Sequence, residues 1–316
     1  MLTGRTTPDE GSGFRPVLRQ VMAGTRRCLQ GRDLALASAG ATLFGAFAGI
    51  PTLLVAIGTA GLLFGRDVVL RLGSQLAQSV PNALGAAEWV RALFDAGLSM
   101  SIAGIVFATF IASAYGRGLS RALRRFAPAG DDGSPQGVPS LPPSWWSRAM
   151  SLPALGLAPL LLLVLLMGAP WLSHLSSDES PWSIAAASYL SLNLVWVITW
   201  APLTWAFRVV APGRPTWRAA IIGGVVTGAF VSGFLQGFVL FLALPIDLAR
   251  PFGGIEPVGV TVALLLWLWV LHAVFCVGYA FTWAVDAVLR ERGAARSESK
   301  SEARSESKSE ARSESN

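Results

Sequence analysis

The stretch LALASAGATLFGAFAGIPTLLVAIGTAGLLFG, Leu34–Gly65, decides the fold. It runs for 32 residues without an Asp, Glu, Lys or Arg. About 20 residues at 1.5 Å each cross the roughly 30 Å hydrocarbon layer of a bilayer. In lipid the backbone must satisfy its own hydrogen bonds, so such a run must be helical. It is too long for one upright span, and Pro51 lies midway, so tilt, a kink or an extension beyond the bilayer is expected. Five more charge-free runs follow: Ala96–Gly116, Ser151–Leu172, Ile184–Phe207, Ala219–Ile246 and Val258–Val285. Ten-residue alternating strands, the mark of a membrane barrel, are not seen. The reading is all-α: a polytopic membrane protein with a six-helix transmembrane bundle over 34–286. A basic segment, 1–33, precedes it and a repetitive tail, 287–316, follows.

Composition agrees. Of 316 residues, 53% are hydrophobic and 14% charged, where a soluble domain carries about 25% charged residues. The net charge of +6 is spread between apolar runs and not gathered as a nucleic-acid-binding face. Of the 25 Lys and Arg residues, 21 lie before run 1, between runs 2 and 3, between runs 4 and 5, or after run 6. The positive-inside rule then places the N and C termini in the cytoplasm of a cell whose inner membrane holds the chain. A cleaved signal peptide is not expected, because the first apolar run starts at Leu34 and exceeds a signal core. Cys28 and Cys276 form no CxxC pair and no disulfide framework.

Between the runs, Val17–Gln30 reads as a short basic amphipathic helix on the inner membrane surface, or as a topogenic flank. In Arg66–Asp95, Val69, Leu72, Leu76 and Val80 fall at helical spacing, and Leu84, Ala87, Val90 and Phe94 resume it after Pro81. Two short interfacial helices are expected in this external loop, capping the bundle or lying on lipid. Gly116–Arg125 extends span 2, and Ala127–Pro143 reads as a flexible loop. The ARSESKSE repeat from Ala295 has no apolar residue larger than Ala, so disorder or a fluctuating helix is expected.

Catalytic patterns are missing. The two histidines, His174 and His272, lie on different levels. Asp131 with Asp132, and Asp178 with Glu179, sit in loops without a histidine partner. No P-loop, GxSxG or HExxH occurs, so no catalytic residue, metal or cofactor is expected, and no nucleic acid. Polar residues inside the spans are the candidate binding layer: Asn193, Gln236 and His272. Asn193 lies roughly 14 Å below the outer end of its helix at 1.5 Å per residue, and Gln236 is nearly level with it. A hydrogen bond between them is open, with His272 lining the same interior below. The alternative is that all three only hold helices together. Small-residue ladders, Ala37, Ala41, Gly45 and Gly49 in span 1 and Gly224, Gly228 and Ser232 in span 5, suit tight packing within the bundle. Homo-oligomerisation through such a face is the other reading. Beyond that, the expected partner is the lipid bilayer.

These residues carry a resemblance. LALASAGATLFGAFAGIP at Leu34–Pro51, YGRGLSRALRRF at Tyr115–Phe126, RPTWRAAIIGG at Arg214–Gly224 and LLLWLW at Leu264–Trp269, followed by Gly278, appear in an order and spacing similar to the YihY/BrkB family of bacterial inner-membrane proteins. The resemblance covers Gly31 to Asp286. It implies a six-helix inner-membrane protein, a transporter of solute or lipid or an envelope-associated factor. A membrane scaffold is the alternative, and a hydrolase or ribonuclease, a label once given to the family, the third. The family's Gly-Ala-Glu near the end of the last span reads Gly278, Tyr279, Ala280 here, without the acid.

Overall fold

The computed structural model describes residues 13–79, 86–127, 144–176, 180–244 and 248–313. Among these the chain is all-helical, and six helices are long and apolar enough to cross a membrane. The reading of 128–143 as a flexible loop lies outside the described residues, as do Asp131, Asp132, Asp178, Glu179 and the His174 side chain.

The helices run in chain order α1 (Phe14–Leu29), α2 (Leu34–Phe64), α3 (Arg66–Ser79), α4 (Ala86–Ser99), α5 (Ile102–Arg124), α6 (Ser144–Ala149), α7 (Leu152–Ser176), α8 (Pro181–Trp205), α9 (Trp217–Ala243) and α10 (Glu256–Ser313). A π-helical turn, Ala206–Val210, follows α8 four residues after Pro202, and a 3₁₀ turn, Arg250–Phe252, precedes α10. Several starts are written in single residues. Asp33 accepts the Leu36 N–H at 2.9 Å, and Ser101 accepts the Gly104 N–H at 3.2 Å. Each satisfies a donor that the first helical turn leaves free. The Ser101 cap moves the second long helix six residues beyond the start its charge-free run suggests. Ala96–Ser99 belong to α4 instead. α2 runs through Pro51 as one helix.

α2, α10, α9, α8 and α7 pack as a ring, each on its two neighbours, and α5 lies along α2. The two ends of the bundle differ. At the end where α1, the Arg-bearing turn of α5 and residues 206–218 meet, called here the basic end, packing is tight. Leu123, Phe126, Phe207, Phe275 and Tyr279 bury together. Beside them Val21 of α1 packs on Ala219, Ala284, Val285 and Val288. The N-terminal helix, read as a surface helix or a topogenic flank, is therefore docked on protein.

At the opposite end α3 and α4 fold back on α2 and α7. Val69, Phe94 and Leu98 close on Ile57, Ala60 and Leu166. The stripe that suggested interfacial helices is used on protein, which makes the pair a cap on α2 and α7. Val80 and Leu84 lie outside the described residues. In the neighbouring half of the ring Trp267 of α10 packs among Phe234, Phe238 and Phe241 of α9, but more of the surface is exposed. Val262, Leu264, Leu265 and Leu266 of α10 are all exposed, although residues 100° apart on a helix cannot all face one way. In α8 only Ala187 and Thr204 are buried.

The tail takes the helical of its two readings. α10 continues through the ARSESKSE repeat to Ser313. Helix nucleation is the costly step, and the membrane-length half of α10 has already made it. Ala, Arg, Glu and Lys then propagate the helix at little cost, without needing a core.

Candidate functional site

One face of α10 carries the polar chemistry of the bundle. His272, Cys276, Tyr279, Trp283 and Asp286 recur at steps of four, three, four and three residues. That spacing places all five on one stripe, spanning about 21 Å from His272 to Asp286.

His272 is 5% exposed and sits where α10 meets α2 and α5. Its Nδ1 lies 2.7 Å from the Leu268 carbonyl, one turn back. A carbonyl only accepts, so Nδ1 carries the proton. In the neutral ring Nε2 then accepts from the Tyr115 hydroxyl at 3.0 Å. Tyr115 and His272 also meet edge to face, with ring centroids 5.8 Å apart. The Thr42 hydroxyl donates to Ser38 at 2.8 Å and stands 3.4 Å from Nδ1. Gly45 makes room, because a Cβ there would lie 2.8 Å from the imidazole Cε1. Gly45 of the α2 ladder is thus the seat of His272, while Gly49, one turn on, has nothing within 4 Å of an added Cβ.

Further along the stripe the contacts become anchors for residues 211–216. The Tyr279 hydroxyl donates to the Pro212 carbonyl. Trp283 lies against Gly213. Asp286, 1% exposed, accepts from the Thr216 backbone N–H at 2.8 Å and from its hydroxyl at 2.6 Å. Arg290 reaches the other Asp286 oxygen at 2.8 Å from a half-solvated position. Thr216 also caps α9 through the Ala219 N–H, so one carboxylate fixes both the connection and the start of a helix. Next to this end, burial raises the Cys28 thiol above its ordinary value, with Arg32 and Arg27 drawing it part of the way back.

The candidate layer of Asn193, Gln236 and His272 is divided by these partners. The Asn193 amide donates to the Tyr189 carbonyl of its own helix at 2.7 Å. Gln236 donates to the Ser191 hydroxyl and ties α9 to α8. Asn193 and Gln236 are near one level, as their depths indicate, but each uses a different partner. His272 turns to α2 and α5. The second ladder is also internal. Gly224 and Gly228 lie against Thr204 and Trp200 of α8, and Ser232 donates to the Leu192 carbonyl at 2.6 Å. The Gly224, Gly228 and Ser232 positions are thus filled by α8.

Sequence reading missed Tyr115, Tyr279 and Asp286 as site residues. The signal was the 4-3-4-3 spacing along the last span. Counting charge-free residues ended that span at Val285 and hid the acid that follows. The bundle therefore does hold a buried carboxylate on its last long helix, two turns beyond Gly278–Ala280. Among the described residues no three His, Cys, Asp or Glu gather as metal ligands.

No curated protein and no solved structure matches the chain. The profile of the virulence factor BrkB family spans residues 25–305, from within α1 to the extension of α10. The segments that its long helices use to seat His272 and to hold 211–216 all lie inside that match, and the chain belongs to the virulence factor BrkB family of membrane proteins.

Proposed function

We propose that this is a multi-pass inner-membrane protein with both termini in the cytoplasm, and that it passes an amphipathic solute or a lipid across or between leaflets without catalysing a reaction. One observation carries this reading: the ring is tight at the basic end, whereas at the other, beside the α3–α4 cap, α10 is exposed on more than one side. Phe126, Phe207 and Tyr279 are fully buried at the first, whereas α10 is exposed on several sides from Val262 to Leu266. A bundle closed at one end and less covered on its α10 side at the other suits one state of an alternating passage. At the basic end a small apolar cleft of about 230 Å³ lies between α7 and α8, bounded by Pro153, Leu157, Ala201, Pro202 and Trp205. The positive-inside excess of arginine at the basic end supports the cytoplasmic assignment.

His272 stands at the boundary between the tight half and the more exposed half and joins α10 to α2 and α5. Purified protein in liposomes is expected to scramble fluorescent lipid or release an entrapped amphipathic solute above the protein-free background. His272→Ala, which removes the Tyr115 contact, is expected to lower the rate about fivefold, the equivalent of one net hydrogen bond. Folded protein that moves nothing across a broad lipid and solute panel would remove the transport reading. Unchanged flux in a folded His272→Ala protein would remove His272 from the path.

A further inference from the structure

We infer that α1 is a binding element for anionic phospholipid headgroups, held at the bilayer surface by its contact with α10. Its residues divide into three adjoining strips. Val17, Val21, Gly24, Thr25 and Cys28 face the protein. Val21 and Thr25 are buried, and a Cβ at Gly24 would lie 3.0 Å from the Ala284 Cβ. Next to this strip Phe14, Leu18 and Met22 recur every four residues and are 79%, 44% and 56% exposed. Beyond them stand Arg15, Arg19 and Arg26, all exposed.

Protein contact thus accounts for only part of the apolar arc. The remainder is an apolar edge bordered by guanidinium groups, and the helix contains no acidic residue. This is the pattern of a helix lying in the headgroup region, with apolar side chains toward the acyl layer and cations at phosphate level. Its position fits. Val21 packs on Ala284, Val285 and Val288, where the charge-free run of α10 ends, and α2 enters its apolar run at Leu34, five residues after α1. Gln20 also donates to Glu291 at 2.6 Å, so α1 stays on α10 nearly two turns past the apolar segment. Arginines near an anionic surface each favour binding by about fivefold. A neutral surface offers the apolar edge a place and leaves the arginines unmatched.

The test is hydrogen exchange on the full chain in nanodiscs of phosphatidylcholine alone and of phosphatidylcholine with phosphatidylglycerol. Amides of Val17–Cys28 are expected to exchange at least about fivefold more slowly in the anionic discs. High salt is expected to erase the difference. Arg15→Gln with Arg19→Gln and Arg26→Gln is expected to erase it as well, with the amides of α9 unchanged as the control for folding. Equal exchange of α1 in the two lipids overturns the inference. Protection that follows a second copy of the chain in the disc, in place of lipid charge, overturns it too.

Discussion

Asp286→Ala is expected to destabilise the bundle by about 3 kcal/mol. The size follows from the partners. Hydrogen bonds to a charged group contribute about 1.5–3 kcal/mol each, and Asp286 accepts two from Thr216. The Thr216 N–H is left without its acceptor at a place where water has poor access. Arg290 adds little, because its side chain is 59% exposed and rehydrates when its partner leaves. The loss should also be local before it is global. Thr216 caps α9, and Tyr279 holds Pro212 from the same face of α10. Unfolding in mild detergent should show the lower stability, and hydrogen exchange should rise first in 211–220. Asp286→Asn keeps one neutral acceptor and should lose about half as much. A variant that melts with the parent would show that 211–216 is held by something other than this carboxylate.

Gly224→Ala is expected to cost about 1–3 kcal/mol, the range for overpacking a close contact. An added Cβ would stand 2.9 Å from the backbone nitrogen and 3.0 Å from the Cα of Thr204. A side chain could rotate away, but backbone cannot, so α8 and α9 must separate. In lipid this matters more than the volume suggests. Hydrocarbon competes for every apolar surface, so helices associate through close packing and interhelical hydrogen bonds. Separation would also stretch the Trp196 indole bond to the Val225 carbonyl, 2.9 Å in the parent. Gly233→Ala is the matched control. Nothing lies within 4 Å of its added Cβ, and alanine is the better helix former, so this variant should equal or exceed the parent. Equal stability of both variants would contradict the close α8–α9 approach.

The six long helices were legible because lipid imposes one strong rule, the exclusion of unpaired charge, that any reader can count. The α3 and α4 pair was legible for a different reason: Val69, Leu72 and Leu76 keep helical spacing whichever surface they meet. Whether that surface was lipid or protein was not written there. The depths of Asn193 and Gln236 were also readable, since rise per residue is fixed. Their partners were not, because depth leaves open the rotation of each helix about its axis. Asn193 is satisfied by its own helix, and His272 faces α2. Asp286 was hidden by the same counting that found the spans, since a charge ends a run even when it is buried. The tail's repeat leaves helix and disorder both open. The repeat alone cannot start a helix, but it follows one that is already formed.

The proposed passage rests on a ring that is packed at the basic end and exposed on its α10 side at the other. Spin labels placed singly at Val262, Leu264, Leu265 and Leu266, in protein with Cys28 and Cys276 replaced and reconstituted in bilayers, test it directly. Accessibility to oxygen reports contact with lipid, and accessibility to a water-soluble nickel chelate reports contact with water. Every one of the four positions should be reached by one reagent or the other, while labels at Phe207 and Phe275 are reached by neither. If two or more of the four positions are closed to both reagents, that half of the bundle is packed, and the open passage does not exist.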